Sequence, residues 1–269
     1  DLSGGDLVIV DGNSGSIIIS PDEATLLKYR EKKQFFEDFE RGLASTVMDT
    51  PSETRDGTRV HFWANIEFPK EISLALSLGA EGIGLYRTEF IYASHADPSE
   101  NQHFECYREA IELLAGRPLV IRTLDFGADK FAHVTGRKPE RNPFLGCRSL
   151  RLCFEHLDVF KRQLRAILRA TMLGPLKLMF PMVSSLTEWR RARMVLDEVK
   201  TELTAEGVPF KPDFPIGIMV EIPSAALIVE QFLPEVDFVS IGSNDLTQYT
   251  LAVVRGNEVI AYMYQPAHP

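Results

Sequence analysis

The sequence contains few of the features that mark secreted, disulfide-bonded or membrane proteins. Only three of its 269 residues are cysteines. Cys106, Cys147 and Cys153 form no C-x-x-C pair, so we expect reduced thiols and a cytoplasmic protein. No apolar run has the length of a membrane span, and we expect neither a membrane anchor nor a signal peptide. These absences argue against a disulfide scaffold and against a membrane protein.

An excess of positive charge is absent as well. The chain has 29 Lys and Arg residues against 38 Asp and Glu residues, and its formal net charge is -9. A surface that binds nucleic acid needs clustered basic residues, so this balance argues against a nucleic-acid partner. The acidic balance is compatible with a small anionic ligand, since a local group of arginines can bind phosphate on an acidic protein.

Short apolar runs alternate with longer amphipathic stretches from residue 58 onward. This alternation is typical of an α/β fold in which helices cover a parallel sheet. The sheet is either a (β/α)8 barrel or an open sheet. A closed barrel needs eight units, so two of them would lie beyond Pro269. The six predicted strands are Val60–Ala64, Gly82–Tyr86, Leu119–Ile121, Leu176–Phe180, Gly217–Val220 and Phe238–Ile241.

The first 57 residues follow a different pattern. Residues 7–19 place two β-branched runs on either side of a Gly/Asn/Ser turn, which predicts a hairpin. The segment Ser20–Glu23 has a capping serine, a proline at the first helical position and an acidic residue three places after the cap. We expect the helix that follows to reach about Leu43, and residues 46–57 to form a polar linker.

Two arginines follow predicted strands directly, Arg87 after the second and Arg122 after the third. In parallel α/β folds the carboxyl ends of the strands meet at the ligand-binding edge. A guanidinium there can hold two phosphate or carboxylate oxygens at once, so the pair suits a small, highly charged anion. The alternative is that each arginine pairs with a local carboxylate, Glu89 or Asp125, and only ties the rim together.

Two carboxylates occupy the ends of the last two predicted strands, Glu221 and Asp245. Neighbouring strands lie about 4.8 Å apart, so these side chains can share one hard cation. Oxygen ligands without Cys or His favour Mg²⁺ or Mn²⁺ over Zn²⁺. The alternative is that Asp245 caps the helix that follows it.

Several longer motifs, taken in order, are specific enough to indicate a family. They resemble the phosphoenolpyruvate-binding barrel of enzyme I, the phosphoenolpyruvate–protein phosphotransferase of the bacterial sugar phosphotransferase system. The resemblance covers nearly the whole chain. The motifs are GLYRTEF (84–90), RTLDFGADK (122–130), NPFLGCR (142–148), MFPM (179–182), GIMVEIPSAA (217–226) and SIGSNDLTQYTLAVVRGN (240–257).

The resemblance implies a TIM-type barrel, incomplete here, at 58–269. Before it come the last hairpin of a swivelling phosphohistidine domain at 1–20 and a connecting helix and linker at 21–57. It also implies Mg²⁺-dependent transfer of the phosphoryl group of phosphoenolpyruvate to a protein histidine. From there the group passes to a histidine phosphocarrier protein for sugar uptake. The family pairs as homodimers through the barrel, so a homodimer is expected.

Eight positions match functional residues of that family. Glu221 and Asp245 correspond to its two magnesium ligands. Arg87 and Arg122 correspond to its phosphate-binding arginines, and Asn244 and Arg255 to contacts with the substrate. The resemblance makes these last four and Asp245 the expected catalytic residues. Lys130 and Arg148 correspond to supporting basic positions. The eight matching positions are Arg87, Arg122, Lys130, Arg148, Glu221, Asn244, Asp245 and Arg255.

The sequence departs from the family pattern at a few points. Cys147 stands where an aromatic residue is usual, Val254 where an Asp is common, and Ala128 where a Gly is common. The family's phosphorylated histidine and its enolate-protonating cysteine are expected outside this chain. We therefore expect the chain to bind phosphoenolpyruvate and Mg²⁺ better than it turns anything over.

Three alternatives remain open at the level of sequence. A relative of pyruvate phosphate dikinase or phosphoenolpyruvate synthase shares the barrel but needs a nucleotide-binding domain. A carbon–carbon lyase on a similar barrel has no need of the hairpin at 7–19. A non-catalytic module that senses phosphoenolpyruvate keeps the binding residues alone.

Overall fold

The structure, a computed structural model, describes residues 4–47, 52–95, 97–126 and 141–267, apart from the side chains of residues 40, 41 and 43–47. The chain divides into two compact units, Asp1–Val60 and His61–Pro269. The predicted polar linker at 46–57 lies partly outside the described residues.

The first unit contains the predicted hairpin and the predicted helix. Strands β1 (Val8–Asp11) and β2 (Ser16–Ile19) pair antiparallel, and helix α1 spans Glu23–Val47. The cap differs from the prediction. Asp22 accepts the backbone N–H of Thr25 at 2.8 Å, so this carboxylate, not the serine two residues earlier, caps the helix.

The second unit is built on a six-stranded sheet in which every neighbouring pair of strands is parallel. The strands occur in sequence order, as in an incomplete TIM-type barrel, so the predicted fold class is confirmed. The six strands are β3 (Trp63–Ile66), β4 (Gly82–Tyr86), β5 (Leu119–Arg122), β6 (Leu176–Phe180), β7 (Ile216–Val220) and β8 (Phe238–Ile241).

Helices follow the strands and cover the outer face of this sheet. Their ends carry ordinary signals: Ser99 and Gln102 form a capping box, and Gly207 ends a long helix in the left-handed conformation. None of the helices in the described part of the chain combines the length and apolarity of a membrane span. They are α2 (Glu71–Ser77), α3 (Glu89–Ser94), α4 (Glu100–Leu114), α5 (Leu150–Glu155), α6 (Leu157–Ala170), α7 (Leu186–Glu206), α8 (Pro223–Leu227), α9 (Val229–Phe232), α10 (Ser243–Leu251) and a 3-10 turn (Ala261–Met263).

The sheet is strongly curled, and one lysine shows it. Nζ of Lys177 on β6 lies 4.8 Å from the ring centre of Trp63 on β3 and 5.5 Å from that of Phe238 on β8. In a flat six-stranded sheet the first and last strands would be about 24 Å apart. The concave face therefore closes on an inner apolar cluster of Leu85, Val120, Met179 and Met219.

The first strand of the sheet was predicted too early. Pairing with β4 begins at Trp63, opposite Gly82, so Val60 lies before the strand and is exposed. Asn65, predicted to follow the strand, lies inside it next to a β-bulge. Apolar character alone set the predicted start, whereas the observed start depends on where a partner strand is available.

Strands β7 and β8 approach each other closely at Gly217. A Cβ at this position would overlap the carbonyl oxygen of Phe238, its partner in the register, and would lie 2.8 Å from Cγ of the Phe238 ring. The last two strands therefore meet only because this residue has no side chain.

Gly217→Ala should lower the free energy of unfolding of the second unit by about 1–3 kcal/mol, because an added methyl group has to displace backbone. Urea denaturation followed by circular dichroism measures this. Gly256→Ala is the matched control, since a Cβ there meets open space. Equal midpoints for the two variants would mean that the β7–β8 contact is looser than described.

Candidate functional site

Charged side chains gather where strands β4, β5, β7 and β8 end. Arg87 follows β4, Arg122 ends β5, and Glu221 follows β7. Asp245 lies in the first turn of α10, just after β8. This is the carboxyl edge of the parallel strands, where the sequence predicted the site.

Acidic and basic groups alternate along what we call the strand-end ion chain, which is Glu89, Arg122, Asp125, Arg148 and Asp245. Arg122 contacts the first two carboxylates at 2.8 Å each, through Nη2 to Glu89 and Nη1 to Asp125. Nη2 of Arg148 lies 2.9 Å from Asp125 and 3.6 Å from Asp245. Because these side chains are largely buried, each charge depends on its neighbours for compensation.

Arg122 is a buried member of this chain and is 8% exposed. Burial by itself lowers the pKa of Arg122, but the carboxylates of Asp125 and Glu89 outweigh burial and raise it. For Glu89 burial dominates and raises its pKa, although Arg122 opposes the rise. Nε of Arg122 and Nε of Arg148 are buried and make no hydrogen bond to the described residues. Two strong donors are thus held at the site with unused capacity.

Glu221 lies beside this chain and is 1% exposed. Its Oε1 accepts the backbone N–H of Met182 at 2.6 Å, and Met182 adopts a left-handed φ of 54° to present that donor. Burial raises the pKa of Glu221 to about 8, with Asp125 and Asp245 adding to the rise and Arg122 opposing it. The ionised carboxylate is therefore poorly compensated by the residues that the structure describes.

Gly242 provides the space that the Glu221 carboxylate occupies. A Cβ on Gly242 would lie 2.6 Å from Oε2 of Glu221 and 2.7 Å from its Cβ. The residue that links β8 to α10 therefore packs directly against the acid at the end of β7.

Helix α10 adds polar groups on the same side. Nη1 of Arg148 lies 3.3 Å from the hydroxyl of Tyr249, and that hydroxyl donates to the carbonyl of Phe144. Asn244 accepts hydrogen bonds from the hydroxyl of Tyr264, at 3.1 Å through its carbonyl and 3.2 Å through its side chain. The helix thus connects the ion chain to the segment that follows it.

The structure brings together four of the eight predicted residues. Arg122, Arg148 and Asp245 belong to the ion chain, and Glu221 lies against it. Arg87 pairs with a local carboxylate, as the alternative interpretation held, but the partner is Glu67, at 2.7 Å, and not Glu89 or Asp125. Arg122 pairs with both of those carboxylates, as the alternative interpretation held.

The remaining predicted residues have other surroundings. Asn244 bonds Tyr264, as described. Arg255 is exposed and makes no hydrogen bond or ion pair with the residues that the structure describes. Lys130 lies outside the described residues.

Sequence reasoning missed two contributors to the site. The N–H of Met182 carries no signal in the side-chain pattern, although its place after β6 marks it as a strand end. Glu67 was not predicted because the first strand was expected to end at Ala64. The observed strand ends at Ile66, and Glu67 follows it directly.

Glu221 and Asp245 are the residues best suited to hold a metal ion. Both are oxygen donors, and the negative charge of Asp245 raises the pKa of Glu221. Glu221 is also short of compensating positive charge among the described residues. That donor set suits a hard divalent cation. Among the described residues no group of three His, Cys, Asp or Glu side chains lies at metal-binding distance.

Comparison with known proteins gives concordant results. The family model described as "PEP-utilising enzyme, PEP-binding domain" matches residues 42–269. The phosphoenolpyruvate-protein phosphotransferase of Geobacillus stearothermophilus is 46% identical over 270 residues, which are 100% of this chain and 46% of that protein. The proteins of the same name from Priestia megaterium and Staphylococcus aureus are 45% and 44% identical, again over 100% of this chain and 47% of theirs.

The chain spans about half the length of the curated relatives it matches. The matched family model covers most of the chain and the whole of the sheet that carries the site. On this match the chain belongs to the family of PEP-utilising enzymes and contains their PEP-binding domain.

Proposed function

We propose that this chain is the substrate-binding part of a phosphoenolpyruvate–protein phosphotransferase. In this reaction the phosphoryl group of phosphoenolpyruvate passes to a protein histidine and then to a histidine phosphocarrier protein for sugar uptake. The observation that carries the proposal is the strand-end ion chain with Glu221 beside it, on a barrel of this family. The names of the relatives support the reaction class.

The organisation that goes with this function is also a proposal. Residues 1–20 would end a swivelling phosphohistidine domain, residues 21–57 would connect it, and residues 58–269 would form the substrate barrel. The protein would act in the cytoplasm as a homodimer that pairs through the barrel.

We assign Mg²⁺ to Glu221 and Asp245. The structure supports this through an imbalance of charge at Glu221: the carboxylates of Asp125 and Asp245 raise its cost of ionisation, and the guanidinium of Arg122 offsets that cost only in part. A divalent cation would supply the missing positive charge. When bound, Mg²⁺ neutralises negative charge on substrate oxygens, which assists phosphoryl transfer.

The basic residues would hold the anionic ends of the substrate. Arg122 and Arg148 are fixed by Asp125, which contacts both and limits their freedom before ligand arrives. Preorganised donors of this kind favour a transition state whose charge spreads over the phosphoryl oxygens. The remaining substrate contacts are proposed to come from the rim of the barrel, through Arg87, Asn244, Arg255 and Lys130.

The site itself needs little covalent chemistry. Transfer of a phosphoryl group depends mainly on alignment of the nucleophile and on neutralisation of charge. The chain's contribution is therefore binding and orientation, and the accepting histidine would come from outside the barrel.

Asp245→Ala should weaken Mg²⁺-dependent binding of phosphoenolpyruvate by at least about tenfold, or about 1.4 kcal/mol, because one of two metal ligands is lost. The fold should persist, since Arg148 keeps Asp125 and Tyr249 as partners. Titration calorimetry with and without Mg²⁺ measures the loss.

Asp197→Ala is the control for this change, since Asp197 is an exposed carboxylate on α7 whose ion-pair partner is Lys200 at 3.9 Å. It should bind the ligand as the parent chain does. If Asp245→Ala also binds as tightly as the parent chain with metal present, the metal assignment is wrong.

Glu221→Gln should change how stability depends on pH in the absence of metal. The pKa of Glu221 is about 8 when folded against 4.5 in a free side chain, so the folded chain binds more protons between these values. Stability of the parent chain therefore falls as pH rises from about 5 to 8, and the glutamine variant lacks this contribution to the fall.

Denaturation midpoints of both chains at pH 5 and pH 8, with and without Mg²⁺, check this. The midpoint of the variant relative to that of the parent chain should increase as pH rises. Mg²⁺ at pH 8 should stabilise the parent chain more than the variant. Glu230→Gln, on an exposed position of α9, should show neither effect. A gap between variant and parent that stays constant with pH would contradict the assignment.

A further inference from the structure

A buried glutamine occupies the apolar face of helix α6, where a hydrophobic residue is expected. Gln163 is 1% exposed and shares that face with Phe160, Leu164 and Ile167, which are all buried. A buried amide costs free energy unless each of its polar atoms has a partner. The contacts of Gln163 therefore indicate what this position does.

All the hydrogen-bonding groups of the Gln163 amide are used. Oε1 accepts the backbone N–H of Leu124 at 3.0 Å. Nε2 lies 3.0 Å from the hydroxyl of Thr88 and 3.3 Å from the hydroxyl of Tyr107. Because the N–H of Leu124 can only donate, the orientation of the amide is fixed, and both of its N–H groups point to hydroxyls.

Each of the two hydroxyls makes one further hydrogen bond. Thr88 accepts from Gln163 and donates to the carbonyl oxygen of Arg122 at 3.2 Å. Tyr107 lies 3.2 Å from Nδ1 of His103, which is buried, and burial lowers the pKa of His103 to about 3. The neutral imidazole can accept a hydrogen bond from the Tyr107 hydroxyl at Nδ1, so donors and acceptors alternate from Gln163 to His103.

The backbone groups held in this way belong to the functional site. Thr88 lies between Arg87 and Glu89, at the end of β4. Leu124 lies between Arg122 and Asp125, at the end of β5. One side chain on α6 therefore fixes two neighbouring strand ends relative to each other, and these ends carry the first three members of the strand-end ion chain.

We propose that Gln163 is a positioning residue for the anion site, acting through Thr88 and the backbone of residues 122–124. The inference rests on the proposed function, since the anion is taken to be phosphoenolpyruvate. Gln163 lies beneath the strand ends and touches neither Arg148 nor Asp245. Its role is to set the spacing of Arg122 from Glu89 and Asp125, which decides where the guanidinium points.

Gln163→Leu keeps the approximate volume of the side chain and removes all three hydrogen bonds. We expect the affinity for phosphoenolpyruvate with Mg²⁺, measured by titration calorimetry, to fall about tenfold, with a lower Tm. Ile167→Ala is the control, because it lies one turn further along the same buried face and lacks a polar group. It should lower Tm as much or more, yet leave the affinity within about twofold of the parent chain.

A second pair of variants tests the pathway through Thr88. Thr88→Val removes the hydroxyl that links Gln163 to the Arg122 carbonyl, whereas Thr88→Ser keeps it. The valine variant should lose affinity as Gln163→Leu does, and the serine variant should retain it. If the position served packing alone, valine would be the better tolerated replacement, because valine keeps the volume of threonine whereas serine lacks its methyl group.

The outcomes separate the two proposals. Failure of the parent chain to bind phosphoenolpyruvate with Mg²⁺ would overturn the proposed function and this inference with it. If the parent chain binds and Gln163→Leu binds equally well, only the positioning role falls. It also falls if Ile167→Ala loses as much affinity as Gln163→Leu, or if Thr88→Ser behaves as Thr88→Val.

Discussion

Burial of charge at the strand ends is the constraint on which the rest of this structure depends. Arg122 and Asp125 are almost fully removed from water, and neither is tolerable alone in that position. Their charges are compensated because acidic and basic groups alternate, so that each guanidinium lies between two carboxylates. Glu221 lies next to this arrangement and forms no ion pair with a basic residue in the described part of the chain. A site with this imbalance is costly in isolation and suited to receive a divalent ion together with an anion.

The arrangement requires rigid support, and two layers supply it. On the outer side, α4 and α6 pack against the sheet and extend a polar network beneath the ends of β4 and β5. On the inner side, an apolar cluster fills the concave face, with Lys177 between two aromatic rings. Displacement of a strand end by a fraction of an ångström would strain several hydrogen bonds at once. Such support favours fixed ligand geometry over adaptability.

Much of this was predictable from the sequence, because the strands are short apolar runs and polar residues follow them. Arg122, Glu221 and Asp245 were found in that way, and the order of the strands followed from the alternation with helices. The start of β3 was not predictable, since it depends on a partner strand. Neither was the role of Gln163, because a glutamine in a helical pattern reads as exposed until its neighbours are known. Backbone donors such as that of Met182 leave no trace in side-chain chemistry.

Gly242 illustrates how such a site restricts its surroundings. Its backbone has φ -83° and ψ 73°, so it does not need glycine for conformational reasons. What it needs is room, since the carboxylate of Glu221 fills the place where a methyl group would be. An acid more than twenty residues away along the chain thus determines that this position has no side chain. An alanine at Gly242 would crowd the Glu221 side chain and Met219 together, so its effect would reach the acid as well as the packing.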